Sequence, residues 1–216
     1  MIVAIDGPAG SGKTTIARLL AKKLGVLYLD TGATYRALTL KALQENIDLA
    51  EEESIAILAD NLRITLQGER VFLDGEEVTD KIRSPQIDKN ISLPVSFKKV
   101  REKMVFLQRR LVENKDAVVE GRDITTVVFP NADYKFYLDA DIEERTRRRK
   151  QYLQEKGHLL GYSEVKSQIL KRDEADFNRE FGALKKAEDA VYIDTTSLGV
   201  EEVLDVLLSY INRSNG

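Results

Sequence analysis

The chemistry of this chain is concentrated first in Gly7-Pro8-Ala9-Gly10-Ser11-Gly12-Lys13-Thr14, which fits the phosphate-loop pattern G-x-x-x-x-G-K-[ST]. Glycines at 7, 10 and 12 let the backbone take left-handed conformations and come close to a phosphate. The loop's N–H groups and a following helix N-terminus then make a concave anion site. Lys13 is placed to bridge the terminal phosphates and the Thr14 hydroxyl to hold Mg²⁺. With Thr15 continuing the run, the candidate nucleotide-binding residues are Gly7, Pro8, Ala9, Gly10, Ser11, Gly12, Lys13, Thr14 and Thr15. A glycine-rich turn that matches by chance would lack the context found here. The apolar run Ile2 to Ile5 precedes the loop, and Ile16, Leu19, Leu20 and Leu24 follow it at helical spacing. A nucleoside triphosphate is the expected ligand.

Further charged groups fall where strands end. Val26 to Leu29 reads as a strand, and Asp30-Thr31-Gly32-Ala33 as a turn opening a helix that carries Thr31, Tyr35 and Arg36. Ala117 to Val119 reads as a third strand ending in Glu120-Gly121-Arg122-Asp123. In open α/β sheets the carboxyl edge is where ligands bind. The plainer reading of Arg36 is an exposed arginine on a capped helix start. Downstream, Asp141 and Glu144 have capping-box spacing for a helix bearing Arg145, Arg147, Arg148, Arg149 and Lys150. Such a basic run is ordinarily a solvated helix face. Here it ends at Lys156-Gly157-His158 and a second polar helix starts near Ser163, giving a hairpin rich in arginine and poor in core residues. That suits a mobile cover supplying cations to a phosphoryl group. Arg172, Asp176 and Arg179 stand at i, i+4 and i+7 on the second helix, either an ion pair along the helix or a cation–carboxylate–cation surface. His158 reads as a turn residue, not a base.

These groups need a framework. The expected fold is α/β, with a phosphate-loop core, a five-stranded parallel sheet, helices on both faces, and two additions. Residues 63–80 alternate apolar and polar about the turns Gln67-Gly68-Glu69 and Asp74-Gly75, predicting a small antiparallel meander. A long amphipathic helix is expected from Ser96 to Asn114, strands at Tyr134 to Leu138 and Val191 to Ile193, and a closing helix through Val203 to Ile211. One domain over 1–216 is expected: core 1–36, 96–140 and 185–216, a β-containing insert at about 60–95, and a lid at about 145–175. A chain of 216 residues suffices for one full core. A net charge of −3 with 32% charged residues excludes nucleic-acid binding by bulk charge. Apolar runs fall short of the roughly 20 residues that span a bilayer, and no signal peptide is visible. Cysteine is absent and histidine occurs once, leaving oxygen-held hard cations as the metals to expect. A cytoplasmic monomer without membrane or nucleic-acid partners is the expectation.

The stretches IDGPAGSGKTT, LDTGATYR, KIRS, VEGRDITTVVFPNADYKFYLDA, EERTRRR and KRDEADFNR together resemble the bacterial cytidylate kinases of the nucleoside monophosphate kinase superfamily. The resemblance covers nearly the whole chain. GRD-x-x-T-V-V-F-P combined with LDTGA-x-YR separates that group from adenylate, guanylate and thymidylate kinases. It implies transfer of the γ-phosphoryl of Mg·ATP to CMP or dCMP. Arg36, Arg122 and Arg179 occupy positions that hold the acceptor's phosphate in that family, and Arg172 and Asp176 positions that contact the sugar. Ser92, Arg101 and Asp123 sit where the family reads cytosine. A carboxylate there accepts from the cytosine amine and an arginine donates to O2 or N3, while uracil offers no donor. Thr31 replaces the more usual serine and keeps a hydroxyl as a minor contact. Lys13, Arg122, Arg145 and Arg148 are the catalytic candidates, acting by positioning and charge neutralisation. Arg145 and Arg148 share a helix face that Arg147 does not.

Three rivals stand against this. Another small-molecule kinase on the same core is the nearest, such as a shikimate or dephospho-coenzyme A kinase. A guanine-reading switch would need N-K-x-D, whereas Asn114-Lys115-Asp116 is one residue short and precedes its strand. An RNA-binding module would place aromatic residues beside the arginine run, which the acidic balance also opposes.

Overall fold

The structure, a computed structural model, describes residues 1–213. The chain runs β1 (Ile2–Asp6), α1 (Lys13–Leu24), β2 (Leu27–Asp30), α2 (Thr31–Gln44), α3 (Glu52–Asp60), β3 (Ile64–Gln67), β4 (Arg70–Leu73) and β5 (Glu76–Glu77). It continues with α4 (Pro85–Asn90), α5 (Lys98–Leu111), β6 (Ala117–Gly121), β7 (Tyr134–Asp139), α6 (Ile142–Glu155), α7 (Tyr162–Phe177), β8 (Val191–Asp194) and α8 (Val200–Arg213). The main sheet has five parallel strands in the order β2-β6-β1-β7-β8. Val3, Ala4, Ile5, Val118 and Val119 are fully buried, as strands covered on both faces require. Ile5 pairs with Glu120 and Asp30 with Glu120, so the ends of β1, β2 and β6 meet at one edge.

The residues 63–80 meander is a three-stranded antiparallel sheet, β3-β4-β5. Gly68, Asp74 and Gly75 all take positive φ in its two turns, the geometry that hairpin turns demand. Ile64, Val71, Leu73 and Val78 face inward and join one apolar cluster with Leu38 of α2, Ile55 of α3 and Met104 of α5. That cluster draws on residues well outside 60–95, because one face of so small a sheet cannot make a core alone. The opposite pole is the hairpin α6–α7. Its own cluster is only Leu153, Val165 and Ile169, with Ile142 and Leu160 against it. A thin core makes this the element with least apolar area resisting its movement.

Local differences from the sequence expectations have local causes. No turn separates β2 from α2: the Asp30 side chain accepts from Ala33 N–H at 3.0 Å, capping a helix that begins at Thr31. The long amphipathic helix is shorter than 96–114, running from Lys98 to Leu111. Asp141 caps α6 through Glu144 N–H at 2.7 Å, but the Glu144 side chain turns to Arg147 and Arg148 instead of closing a capping box. Residues Ile124–Val128 form a π-helical turn, which no periodicity announced. Asp6, fully buried, holds this turn by accepting from Ile124 N–H and Thr125 N–H at 2.8 Å each and from the Thr125 hydroxyl at 2.6 Å.

Burial pushes the Asp6 carboxyl up to about 6, against the pull of its Thr125 and Ile124 donors. The folded state therefore holds this proton more tightly than the unfolded chain. The stability so gained is complete below the ordinary value of 3.8 and is lost as pH rises through about 6. Asp6→Asn should flatten that part of the stability profile and cost about 1–3 kcal/mol at neutral pH, since the amide nitrogen that replaces one carboxylate oxygen cannot accept from the backbone N–H facing it. Urea midpoints across the acid range check both. An unchanged slope would count against the assignment.

Candidate active site

The loop between β1 and α1 wraps one end of a cleft of about 1580 Å³, more than one drug-sized ligand needs and room for two nucleotides. Gly10 has φ +81, and a Cβ there would lie 2.9 Å from the Arg145 carbonyl oxygen, so only glycine lets α6 pack on the loop. Lys13 is 6% exposed and donates to the Pro8 carbonyl at 3.2 Å. Burial and then the Arg122 cation depress its pKa well below the usual lysine value, with Arg172 adding to this and Glu120 and Asp176 opposing it. An anionic phosphate would restore the charge.

Beside it the Thr14 hydroxyl donates to Glu120 Oε1 at 2.7 Å, and the Tyr28 hydroxyl reaches the same oxygen at 3.4 Å. Burial, with Asp30 adjacent, raises the Glu120 carboxyl, and Lys13 and the Thr14 hydroxyl pull the other way. Glu120 was visible in the sequence only as one of several charges after a strand. The register of β6 against β1 is what brings it to Thr14. Among the described residues no group of three or more His, Cys, Asp or Glu side chains is placed to hold a metal. A hydroxyl and one carboxylate suit Mg²⁺ bound mainly through phosphates and water.

The far side of the cleft is built by β6, the turn after it, α2, α5 and α7. Arg101, on α5, pairs with Asp123 at 2.6 Å, with side chains only 3% and 6% exposed. The Arg101 guanidinium lies 5.3 Å from the Tyr35 ring centre and donates to the Val95 carbonyl at 3.3 Å, while its Nε finds no partner. Burial lifts the Tyr35 phenol to about 12, so it is neutral. Arg36 is held by Asp88 at 2.6 Å and by the Ile82 carbonyl at 3.3 Å. Ser92 is exposed on the same wall. Thr31 is 4% exposed and donates its hydroxyl to the Glu120 carbonyl at 2.8 Å.

Asp176 is the hub. Its two oxygens take Arg122 Nε at 2.6 Å and Arg179 Nη2 at 2.5 Å. Burial alone would raise this carboxyl, and Arg122, Arg172 and Arg179 together override it, holding it near about 2. The expected stripe along one helix is thus corrected in two respects. Helix α7 ends at Phe177, so Arg179 lies beyond it, and Asp176 bonds Arg122 across the cleft in place of Arg172. Arg172 stands in the cleft confined by protein on its sides. That confinement, and then Arg122, lowers its pKa to about 10, with Arg36 and Arg149 contributing and Asp176 opposing.

The lid arginines do not divide as the helix faces suggest: Arg147, Arg148 and Arg149 line the cleft and Arg145 does not. Arg147 is exposed at the cleft's margin and grips Glu144 with two nitrogens. Arg148 reaches the cleft, but donates to the Thr195 hydroxyl and carbonyl and to Glu144. Arg145 is buried behind the loop, bonded to Asp173, the Ala140 carbonyl at 3.0 Å and the Ala9 carbonyl at 3.2 Å. Arg145, Gly7 and Pro8 do not reach the cleft wall, whereas Ala9 to Thr15 do. Arg149, named in the sequence only as one of the basic run, does face the cleft. Helical spacing assigns a side chain to a face but not its partner: Asp173 and Thr195, 28 and 47 residues away, decide where these guanidiniums point.

The sequence profile described as Cytidylate kinase matches residues 3–213. A cytidylate kinase of Caldanaerobacter subterraneus subsp. tengcongensis is 50% identical over 212 residues, 98% of this chain and 95% of that protein. One from Carboxydothermus hydrogenoformans is 45% identical over 219 residues, 100% of this chain and 99% of that protein. Among solved structures, an uncharacterized protein from Eubacterium ventriosum ATCC 27560 superposes with a TM-score of 0.53 at 14% identity, covering 98% of both chains, a likeness of fold alone. On a profile match and relatives that span nearly its whole length, the chain belongs to the cytidylate kinase family.

Proposed function

We propose that this protein transfers the γ-phosphoryl group of ATP to CMP or dCMP, giving ADP and CDP or dCDP. The observation that carries it is the buried Arg101–Asp123 pair, set in one cleft with the phosphate loop and a cluster of arginines. A buried carboxylate and guanidinium side by side match the donor–acceptor edge of cytosine and leave uracil facing an acceptor. Ser92 adds a hydroxyl at that end. Arg36, Arg122 and Arg179 hold the acceptor phosphate, and Asp176 with Arg172 meets the sugar. Arg36 would exchange Asp88 for the phosphate. Thr31 acts through Glu120 and the start of α2.

At the donor end the backbone N–H groups of Ala9 to Thr15 cradle the ATP phosphates, Gly7 and Pro8 shape the loop behind them, and Lys13 follows the transferring group. Thr14 and Glu120 would hold Mg²⁺, which when bound neutralises phosphate charge. Arg122 stands between the two ends as the cation common to both. Arg145 and Arg148 support the reaction by fixing the loop and its neighbours. One chain supplies every group the site needs, so a monomer is the proposed working form, and the cytoplasm is its proposed location. The proposed module is one domain over 1–216, with the lid at about 145–175 in the hairpin α6–α7.

Transfer itself asks little covalent chemistry of the side chains. In-line placement and charge neutralisation in a closed, dry site carry the rate. Measuring ADP release with CMP, dCMP, UMP, AMP and shikimate as separate acceptors tests the reading. Fast turnover with both cytidylates and a steep fall with UMP is expected; no turnover with either cytidylate would refute it. Arg145→Ala should raise KM for ATP about tenfold, equivalent to about 1.4 kcal/mol, with KM for CMP nearly unchanged, since the one substrate-binding segment Arg145 bonds is the donor loop at Ala9, its other partners being Ala140 and Asp173. Equal losses at both substrates would argue against that division.

A further inference from the structure

The loop after α7 carries a residue that neither the motifs nor the cleft wall identifies. Gly182 is buried with φ +70, and its Cα lies against the Arg101–Asp123 pair. A Cβ at this position would come within 2.2 Å of Asp123 Oδ2, 2.6 Å of Arg101 Nη2 and 2.9 Å of Arg101 Nε. Those atoms can move only toward the cleft, and moving them breaks contacts that fix the pair. The pair is bonded at 2.6 Å, the Tyr35 ring lies 5.3 Å from the guanidinium carbon, and the Val95 carbonyl takes Nη1. The loop is equally constrained. Arg179 Nη1 donates to the Gly182 carbonyl at 3.2 Å, Leu184 N–H donates to the Asp176 carbonyl at 2.8 Å, and Leu184 is 1% exposed.

We infer that Gly182 is a specificity-determining residue: its missing side chain lets the loop backbone press the Arg101–Asp123 pair into the geometry that distinguishes cytosine from uracil. The inference rests on the proposed role of that pair as base reader. Gly182 is a positioning residue, since it touches the readers and not the base. Any Cβ must displace either the carboxylate and guanidinium or the loop that anchors Arg179 and Asp176. Both routes spoil the acceptor end and leave the donor loop untouched.

Two substitutions separate close approach from backbone conformation. Asparagine tolerates positive φ but carries a Cβ, whereas alanine has the Cβ and the conformational strain. Both Gly182→Ala and Gly182→Asn should raise KM for CMP about tenfold or more and shrink the CMP-over-UMP preference, with KM for ATP within about twofold of the parent. Wild-type acceptor preference in Gly182→Asn would overturn the inference, reducing Gly182 to a turn residue. Loss of ATP binding or of a cooperative thermal transition in both variants would overturn it as well, by showing a general structural role. Asp123→Asn distinguishes this from failure of the underlying reading. If Asp123→Asn keeps the parent's preference for CMP over UMP, the base-reading role of the pair falls. If Asp123→Asn loses that preference and the Gly182 variants keep it, only the present inference falls.

Discussion

Lys13→Ala is expected to lower kcat by about three orders of magnitude or more, the scale on which a phosphoryl-stabilising cation contributes. The fold should survive, because Lys13 offers the interior a single bond, to the Pro8 carbonyl, and no ion pair. The same isolation gives the prediction a second readout. Burial and neighbouring cations hold the lysine pKa down in the free protein, and three or four phosphate oxygens would push it back up. ATP binding at mildly alkaline pH should therefore take up protons, and Lys13→Ala should abolish much of that uptake. Calorimetry in buffers of different ionisation enthalpy measures it. Unchanged turnover in Lys13→Ala would remove the loop lysine from the mechanism.

Asp176→Ala should show the largest loss of stability. It strips the carboxylate from Arg122 and Arg179, whose side chains are 14% and 8% exposed, and leaves them facing Arg172. Breaking a buried pair by removing one partner costs about 3–5 kcal/mol. For a chain of this size that is a fall in Tm of roughly 10 °C. The cluster without its anion is then a stronger anion site, so inorganic phosphate should raise Tm more in the variant than in the parent. Thermal melts with and without phosphate test this, and an unchanged Tm would show that water already compensates the arginines. In the parent the carboxyl sits near about 2, below its usual 3.8, so the stability it brings is present above pH 3.8 and is lost as pH falls toward 2.

Asp6 and Asp176 therefore respond to acid in opposite senses. Asp6 stabilises as it gains a proton below about 6, and Asp176 ceases to stabilise as it gains one near about 2. The difference is the company each keeps: Asp6 has uncharged donors, and Asp176 has guanidiniums.

Much of the arrangement is legible in the chain because it is set over short range. The phosphate loop follows from its glycines and lysine between an apolar run and a helical one. The hairpins follow from Gly68 and Asp74-Gly75, where φ must be positive. Sheet membership follows from unbroken apolar runs, and Asp141 as a helix cap follows from its spacing to Glu144. Tertiary structure alone decided which charges meet. Thr14 and Glu120 are 106 residues apart, Arg122 and Asp176 are 54, and Arg101 and Asp123 are 22. Arginine has several rotatable bonds and several donors, so its position on a helix face leaves its partner open. Arg145 takes Asp173 and the back of the loop for that reason, and Arg172 is left in the cleft without a carboxylate partner. Backbone conformation and apolar periodicity are properties of neighbouring residues, whereas the pairing of charges and the close approach at Gly182 exist only once distant segments pack together.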